Sequence, residues 1–159
     1  MIPVRKLNHA VLFVRDLNRS VDFYQRAFGF EEIAREGGRM AFLRSKTSGN
    51  HHDLGLLEVG ANAPQPPQGA TGLYHLAWEV PTIEDLAAGA ETLTALGALI
   101  GQSDHGATKS LYARDPDGNE FEVVWMLPSD QWGAYDRAAP IRPLDLEREV
   151  AQHGSSGSA

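Results

Sequence analysis

One pattern occurs twice in the chain, and this repeat restricts the fold more than any other feature of the sequence. Residues 7–14 and 73–80 each read as an apolar strand, with a histidine, His9 or His75, at the third position. After each strand the apolar residues recur every three or four positions, which indicates one buried face of a helix. After each helix the period shortens towards two, which is typical of half-buried strands. The sequence therefore predicts an α+β fold made of two βαβββ modules.

The two predicted helices have recognisable first and last residues. Asp16 has a short polar side chain that can accept a hydrogen bond from a free backbone N–H at a helix start, and Gly29 follows the last apolar position. In the second module Thr82 and Asp85 resemble a capping box, and Gly97 stands where the helix pattern ends. These residues predict one short helix in each module.

A stretch rich in Pro, Gln and Gly separates the modules and reads as a linker. Half of a chain this short would struggle to close a core alone, so we expect one domain and not two. Beyond residue 127 the apolar pattern weakens, and the end of the chain has the composition of a disordered tail. The predicted boundaries are a single domain at 1–127, with module one at 4–60, the linker at 61–72 and module two at 73–127, then a C-terminal arm at 128–153 and a disordered tail at 154–159.

Charge and composition argue against several kinds of function. The formal net charge is -7, whereas a nucleic-acid-binding surface needs basic patches that neutralise phosphates. The chain contains no cysteine, which excludes disulfides, thiolate metal sites and a cysteine nucleophile. No apolar run approaches the roughly 20 residues that span a bilayer, and residues 1–6 lead into a strand pattern without the apolar region of a signal peptide. A cytoplasmic protein with no nucleic-acid or membrane partner is the expectation.

Three side chains from different strands form the candidate metal site. His9 and His75 occupy equivalent places in the two modules, so a pseudo-twofold arrangement of the modules would bring their side chains together. Glu122 lies in the last strand of module two, where it shares a face with Glu120 and not with Phe121. A single histidine in an apolar strand is more often a hydrogen-bonded core residue, and an alternating glutamate more often faces solvent. The equivalent positions of the two histidines favour metal binding over these alternatives.

On these residues the chain resembles the vicinal oxygen chelate superfamily, which includes glyoxalases, fosfomycin and bleomycin resistance proteins, and type I extradiol dioxygenases. The resemblance covers residues 5–126 and implies that the curved sheets of two βαβββ modules form an open cup around a metal ion. It is carried by Leu7-Asn8-His9-Ala10-Val11, Phe23-Tyr24, Phe28-Gly29-Phe30, Tyr74-His75-Leu76-Ala77 and residues 112–122 with their Asp-Pro-Asp-Gly-Asn turn.

Within the superfamily the chain is most similar to single-domain type I extradiol dioxygenases. These enzymes hold Fe(II) with two histidines and one glutamate on one face, and the three candidate ligands match those positions. Mn(II), Zn(II), Ni(II) and Co(II) stay open as alternatives. The glyoxalase I branch uses a fourth ligand in the last strand of the first module, where this chain has Gly55. A small shift of the alignment would place Asp53 or Glu58 there instead.

Three further residues match catalytic positions of the extradiol branch. His52 stands where those enzymes have their catalytic histidine, and His105 and Tyr112 stand in a segment similar to their later histidine and tyrosine. The resemblance implies that His52 acts as general base and then acid, which suits an imidazole with an ordinary pKa of about 6.5. Tyr112 and His105 would hydrogen-bond the substrate oxygens. The alternatives are a strand-end residue at His52, a loop residue at His105 and an ordinary core residue at Tyr112.

The implied activity is ring cleavage of a catechol-type diol with Fe(II) and O2. The partners would be a small aromatic diol, O2 and a second copy of the chain in a homodimer, and no organic cofactor is implied. Two alternatives stay open: a glyoxalase I-like lyase or isomerase, and a non-enzymatic protein that sequesters a small molecule, as bleomycin resistance proteins do. Candidates for an apolar substrate pocket and its cover are Met40, Phe42, Trp78, Trp132 and Tyr135.

Overall fold

The structure, a computed structural model, describes residues 1–67 and 69–154 of the chain. The chain divides into two compact units, Met1–Ala70 and Thr71–Ala159. The predicted α+β fold of two βαβββ modules is confirmed, because each unit contains a four-stranded mixed sheet with a helix between its first two strands. The first unit contains β1 (Ala10–Val14), α1 (Leu17–Phe28), β2 (Glu31–Glu36), β3 (Met40–Arg44) and β4 (Leu54–Glu58). The second contains β5 (Leu76–Glu79), α2 (Ile83–Ala95), β6 (Leu99–Asp104), β7 (Thr108–Arg114), β8 (Glu120–Met126) and α3 (Leu146–His153).

Two of the predictions about the whole chain are not tested by this architecture. The single domain at 1–127 with its linker stays a prediction. The disordered tail falls almost entirely on residues 155–159, which lie outside the described residues. Across the part of the chain that the structure describes, no helix is long and apolar enough to cross a membrane.

In the first unit the strand that comes first in the chain pairs with the strand that comes last. The sheet order is β1-β4-β3-β2, with β1 parallel to β4 and the other neighbours antiparallel. The apolar face of α1 packs against this sheet through Leu17, Val21 and Tyr24. Burial of each such side chain stabilises the fold by about 1.5–3 kcal/mol relative to leaving it exposed. Because Ala10 pairs with Leu54, the residues that lead into β1 and into β4 lie side by side.

The second unit repeats this arrangement with the sheet order β5-β8-β7-β6. β5 is parallel to β8, with Leu76 opposite Phe121 and Ala77 opposite Glu122. Residues two apart in an extended segment face the same side, so His75 shares the face of Ala77 and lies beside Glu122. In both units, therefore, the parallel pair places the residues before the first strand next to the last strand.

The helix starts predicted from sequence are confirmed. Asp16 caps α1 by accepting a hydrogen bond from Arg19 N at 3.0 Å, and Gly29 follows the helix in the left-handed conformation with a φ of 64°. Thr82 caps α2 by accepting a hydrogen bond from Asp85 N at 3.0 Å. Caps of this kind contribute about 1 kcal/mol each to the free energy of unfolding, and they set the residue at which each helix begins.

The first strand of each module is shorter than predicted. β1 begins at Ala10 and β5 begins at Leu76, three residues after the predicted starts at 7 and 73. Pairing with the neighbouring strand begins only at these two residues, so nothing holds the preceding residues in a ladder. His9 and His75 therefore stand immediately before their strands and not within them, but they occupy equivalent positions in the two modules.

The C-terminal arm at 128–153 contacts β6, the outer strand of the second sheet. It contains two short 3-10 turns and then α3, which packs against α2. Arg142 and Asp104 form an antiparallel bridge: Asp104 N donates to Arg142 O at 2.9 Å, and Arg142 N donates to Asp104 O at 3.1 Å. The arm thus continues the sheet by one paired residue beyond β6.

A buried ion cluster holds α3 to this sheet. Lys109 Nζ lies 2.6 Å from Asp104 Oδ1 and 3.3 Å from Glu149 Oε2, and the three side chains are at most 6% exposed. Burial opposes the ionisation of Asp104, but hydrogen bonds from Lys109 and from Gly106 N outweigh burial and lower the pKa of Asp104. Removal of one partner from such a cluster would leave an uncompensated buried charge. Lys109 therefore ties the arm to the sheet.

Replacement of Gly106 by alanine is expected to lower the free energy of unfolding by about 1–3 kcal/mol. Gly106 has a φ of 81°, and a Cβ placed there would overlap the ring of Tyr135 in the arm. Gly101→Ala is the matched control, because Gly101 lies in β6 of the same unit and no atom lies within 4 Å of its Cβ position. Urea unfolding of both variants measures the difference. Equal unfolding midpoints for the two variants would contradict the expectation.

Candidate functional site

The first unit brings together His9 and His52, at the end of the sheet where β1 and β4 begin. The centroids of their rings lie 4.4 Å apart, and Phe42 of β3 packs edge-on against His52 at 4.9 Å. This contact follows from the parallel pairing of β1 with β4, which sets the two approaching segments side by side. The predicted metal ligand and the predicted base of this unit are therefore neighbours.

A hydrogen-bonded loop supports the two histidines. The carboxylate of Asp53 accepts hydrogen bonds from Ser45 N at 2.8 Å, Ser48 Oγ at 2.6 Å and Asn50 Nδ2 at 2.8 Å. Burial opposes the ionisation of Asp53, but these hydrogen bonds outweigh burial and lower its pKa. Asn50 Nδ2 also donates to the backbone oxygen of Asn8 at 2.8 Å. The loop before β4 is thereby fastened to the segment before β1.

The same network orients the ring of His9. His9 Nδ1 lies 2.8 Å from Asn8 Oδ1, and Asn8 Nδ2 donates to Asn50 Oδ1 at 3.3 Å, which sets the orientation of the Asn8 amide. An amide oxygen can only accept, so Nδ1 carries the ring proton and Nε2 keeps a lone pair. Metal-binding histidines usually donate their other ring N–H in this way. His9 is therefore suited to bind a metal through Nε2.

His52 is the side chain of the first unit best suited to accept a proton. Burial lowers the pKa of His52, and the neighbouring rings of His9 and His51 lower it further against a smaller opposite effect of Asp53. A lowered pKa keeps the imidazole neutral near pH 7, and the neutral form is the one that accepts a proton. His51 is exposed, and its Nδ1 lies 3.1 Å from His52 Nδ1.

The three positions considered for a fourth metal ligand offer no free carboxylate. Gly55 lies in the middle of the first sheet, where a Cβ would come within 3.1 Å of Val11 Cγ2. Glu58 Oε2 accepts a hydrogen bond from Leu17 N at the start of α1, at 2.9 Å. Asp53 is occupied by the loop described above. This arrangement counts against a four-ligand site of the glyoxalase I kind.

The second unit brings together His75 and Glu122. His75 Nε2 lies 3.1 Å from Glu122 Oε2, and the two side chains are 25% and 13% exposed. Two ligand atoms about 2.1 Å from one ion and at right angles would be about 3.0 Å apart, so this separation suits shared coordination. Glu122 shares its half-buried face with Glu120 while Phe121 is buried on the other face, as predicted.

The other ring nitrogen of His75 has no such support. His75 Nδ1 is buried, and none of the described residues forms a hydrogen bond with it. The rings of Tyr74 and Tyr112 flank the imidazole, with centroids at 4.8 and 5.8 Å. His75 therefore lacks the hydrogen bond to its second ring nitrogen that His9 has, and the contact with Glu122 is the main polar feature of its ring.

Tyr112 and His105 form a hydrogen-bonded pair beside His75 and Glu122. The Tyr112 hydroxyl lies 2.9 Å from His105 Nε2, and Tyr112 is directly opposite Glu122 in the pairing of β7 with β8. Burial raises the pKa of Tyr112, and the charge of Glu122 raises it further. The phenol therefore keeps its proton and can donate a hydrogen bond.

The predicted pocket residues lie in both units. Met40 and Phe42 stand in β3 and Trp78 in β5, all half-buried. Trp132 donates its indole N–H to a backbone oxygen at 2.7 Å, and Tyr135 lies against the loop between β6 and β7. Their proposed roles as pocket lining and cover stay predictions.

The six predicted site residues fall into two groups, one in each unit. The first unit brings His9 to His52, and the second unit brings His75 and Glu122 to the Tyr112–His105 pair. Within either unit, no group of three histidine or carboxylate side chains among the described residues is arranged to hold a metal ion. The meeting of His9 with the other two candidate ligands stays a prediction, and so do the roles of all six residues.

The residues that support these two groups were not predicted from the sequence. Asn8 and Asn50 orient His9, and Lys109 anchors the arm, but none of them was singled out from the sequence. The cluster of Ser and Asn in residues 45–53 was a usable signal for a hydrogen-bonded loop. For Lys109 the alternation of β7 was the only signal, because its partner Glu149 is far away in the chain.

Comparison with known proteins gives two kinds of relatives. Catechol-2,3-dioxygenase of Bacillus subtilis (strain 168) is 34% identical over 127 residues, which are 79% of this chain and 43% of that protein. The chain thus spans less than half of the length of this relative. Lactoylglutathione lyase of Neisseria meningitidis is 29% identical over 141 residues, which are 84% of this chain and 99% of that protein.

The fold also matches solved structures. One is a mutant fosfomycin resistance protein from Listeria monocytogenes in complex with Mn(II) and 1S,2S-dihydroxypropylphosphonic acid, with a TM-score of 0.64 and 25% identity. That match covers 85% of this chain and 99% of the other. A family model described as the Glyoxalase/Bleomycin resistance protein/Dioxygenase superfamily matches residues 6–123, which is well over half of the chain. The chain therefore belongs to the Glyoxalase/Bleomycin resistance protein/Dioxygenase superfamily.

Proposed function

We propose that the chain acts as a metal-dependent extradiol dioxygenase, by itself or as part of a longer protein, and opens a catechol-type ring next to its two hydroxyls. The observation that supports this most is the adjacency of two pairs in the second unit. His75 and Glu122 are candidate metal ligands, and Tyr112 and His105 beside them can exchange protons. Metal binding and proton handling at one place are what this reaction requires. The similarity to a catechol-2,3-dioxygenase supports the same conclusion.

The proposed metal site consists of His9, His75 and Glu122. Two imidazole nitrogens and one carboxylate oxygen suit Fe(II), and such a site leaves positions open for a diol and O2. When bound, the iron would hold diol and O2 together and pass electron density between them. Both oxygen atoms of O2 enter the ring-opened product, so the reaction needs no external reductant. His9 contributes through Nε2, because Asn8 engages its Nδ1.

His52 is the proposed general base of the reaction. Its ring lies beside His9, so a diol held at the metal would have a hydroxyl within its reach. His52 would accept the proton of one hydroxyl and later return a proton to the opened product. Phe42 packs against the ring of His52 and restricts its movement, which keeps the accepting nitrogen in place.

Tyr112 and His105 are proposed to hold the other substrate oxygen. The pKa of Tyr112 is raised by burial and then by Glu122, so its phenol is a neutral hydrogen-bonding group and not a competing negative ligand. A hydroxyl group in this position can accept from a substrate hydroxyl or donate to a substrate oxygen. The pair therefore orients the diol without taking part in metal binding.

The proposed activity is tested by reconstitution with Fe(II) without oxygen, followed by addition of a catechol and O2. Catechol and 2,3-dihydroxybiphenyl are the first substrates, with oxygen uptake and the absorbance of the yellow ring-opened product as the two readouts. We expect equal molar amounts of O2 consumed and product formed. Absence of both signals across a panel of catechols, in protein shown to contain iron, would contradict the proposal.

A glyoxalase I-like lyase is the second candidate. One observation favours it: the chain spans 99% of the length of the lactoylglutathione lyase of Neisseria meningitidis. The glycine at position 55 and the engaged carboxylates of Asp53 and Glu58 count against it. Turnover of the methylglyoxal–glutathione adduct by the Ni(II) or Zn(II) protein, with no oxygen consumed, would select this function over ring cleavage.

A further inference from the structure

We propose that the C-terminal arm determines which ring nitrogen of His105 carries the proton. The backbone oxygen of Pro140 makes this selection, and it thereby sets the direction of the hydrogen bond between His105 and Tyr112. Pro140 is a positioning residue that acts through His105. The effect on turnover rests on the proposed function, whereas the effect on the His105 ring concerns the second unit alone.

Two hydrogen bonds of the His105 ring determine which of its nitrogens carries the proton. His105 Nδ1 lies 2.8 Å from the backbone oxygen of Pro140, and His105 Nε2 lies 2.9 Å from the Tyr112 hydroxyl. A backbone oxygen can only accept, so Nδ1 must carry the proton. In the neutral ring Nε2 is then an acceptor, and the Tyr112 hydroxyl must donate to it. Without Pro140, either nitrogen could carry the proton and the bond to Tyr112 could run in either direction.

The position of Pro140 depends on its anchor two residues later. Arg142 exchanges two backbone hydrogen bonds with Asp104, the residue directly before His105. The segment that carries Pro140 is therefore aligned with the segment that carries His105. His105 N also donates to Thr108 O at 2.9 Å, which closes the turn between β6 and β7. Both partners of the Pro140–His105 bond are thus held by the backbone.

A second anchor lies on the opposite face of the sheet. Lys109 and Tyr112 are three residues apart in β7, so their side chains point to opposite faces. Lys109 binds Glu149 of α3, while the Tyr112 hydroxyl meets His105 beside Pro140. The arm therefore contacts the sheet on both faces. These contacts explain how a short segment without a core of its own can hold the backbone oxygen of Pro140 in place.

The fixed ring has a consequence for the proposed reaction. Because the proton of the Tyr112 hydroxyl is directed to His105, the Tyr112 oxygen is left as an acceptor, with one lone pair for the neighbouring Ser110 side chain and one for a ligand. Tyr112 would then accept a hydrogen bond from a substrate hydroxyl. This arrangement favours a diol that keeps one of its two hydroxyls protonated while His52 takes the proton of the other.

The test uses the whole metal-free chain of 159 residues labelled with 15N, and a matched pair of variants. Arg142→Pro removes the N–H that donates to Asp104 O, whereas Arg142→Ala keeps this N–H and removes only the side chain, which contacts Tyr135. Long-range 1H–15N spectra of the histidine rings report which nitrogen of His105 carries the proton, and a His105→Gln variant assigns the signals. A role limited to packing would not change the protonated nitrogen.

We expect the native protein and Arg142→Ala to show His105 protonated at Nδ1 and unprotonated at Nε2. Arg142→Pro should show a mixture of the two ring forms or protonation at Nε2. Protonation at Nε2 in the native protein, or an unchanged His105 spectrum in Arg142→Pro, would overturn the proposal. If circular dichroism shows that Arg142→Pro is unfolded, the native and Arg142→Ala spectra decide the question by the same criterion.

Turnover gives a separate readout. If the chain cleaves catechols, Arg142→Pro should lower kcat about tenfold relative to Arg142→Ala, with KM changed less than about twofold. A chain that shows the expected His105 spectra but no oxygen uptake would contradict the proposed function and leave the role of the arm intact. Oxygen uptake together with an unchanged His105 spectrum would support the proposed function and contradict the role of the arm.

Discussion

Replacement of Glu122 by glutamine is expected to weaken Fe(II) binding by at least about 100-fold and to abolish ring cleavage. Loss of a group that only supports a metal ligand already costs about 10–100-fold in affinity or activity, and loss of the ligand's charge should cost more. Glutamine has the same size as glutamate, so the contact with His75 can be replaced by a hydrogen bond and the fold should persist. Calorimetric titration with Fe(II) or Mn(II) in the absence of oxygen measures the affinity.

Glu120→Gln is the matched control for this experiment. Glu120 lies two residues away on the same face of β8, and its side chain is 12% exposed, against 13% for Glu122. Glu120 forms an ion pair with Arg114 at 3.3 Å and a hydrogen bond with the Tyr74 hydroxyl, whereas the polar contact of His75 is with Glu122. We expect metal affinity in this variant within about threefold of native. Equal loss in both variants would mean that general charge and not coordination holds the metal, and native affinity in Glu122→Gln would refute its role as a ligand.

Replacement of His52 by alanine should reduce turnover by about 10²–10⁴-fold and leave metal affinity within about twofold of native. A general base contributes to the proton transfer and not to the binding of the ion, so the two measurements should separate. Initial rates of oxygen uptake with saturating catechol give the first value, and iron content after gel filtration gives the second.

His51→Ala is the control that distinguishes loss of the proposed base from loss of a neighbouring histidine ring. His51 is the adjacent residue in the chain, is exposed, and lies against the same His52 ring with 3.1 Å between the Nδ1 atoms. It helps to lower the pKa of His52 but stands outside the proposed reaction, so its loss should change turnover only a few-fold. If His52→Ala loses its iron, His52 is a ligand or a support of one. If both variants retain full turnover, neither histidine is the base.

The local features of this protein could be predicted from sequence because each depends on neighbours in the chain. Asp16 and Thr82 cap their helices as expected, and Glu122 shares a face with Glu120 because strand alternation is strict. The duplicated order of strands and helix was also visible, and it placed His9 and His75 in equivalent positions. The caps and the strand alternation involve residues within about four positions of one another, and the duplication is visible because the same local pattern recurs in the second half of the chain.

Features that depend on partners distant in the chain could not be predicted. The starts of β1 and β5 depend on where β4 and β8 begin, which no local pattern in residues 7–9 reveals. The bond between Lys109 and Glu149 joins residues from a strand and a terminal helix, and a buried lysine has no signature beyond an inward position. Backbone acceptors such as the oxygen of Pro140 are invisible to any reading of side chains.

The bridge between Arg142 and Asp104 also bears on the solubility of the protein. β6 is the outermost strand of its sheet, and unpaired strand edges invite pairing with strands of other molecules. At Asp104 both backbone groups are already taken by Arg142, so a foreign strand cannot attach there while the arm is docked. Removal of the chain from residue 138 onward would therefore remove this protection and release Pro140 from His105 in one event. Aggregation and inactivation of the shortened protein should accordingly appear together.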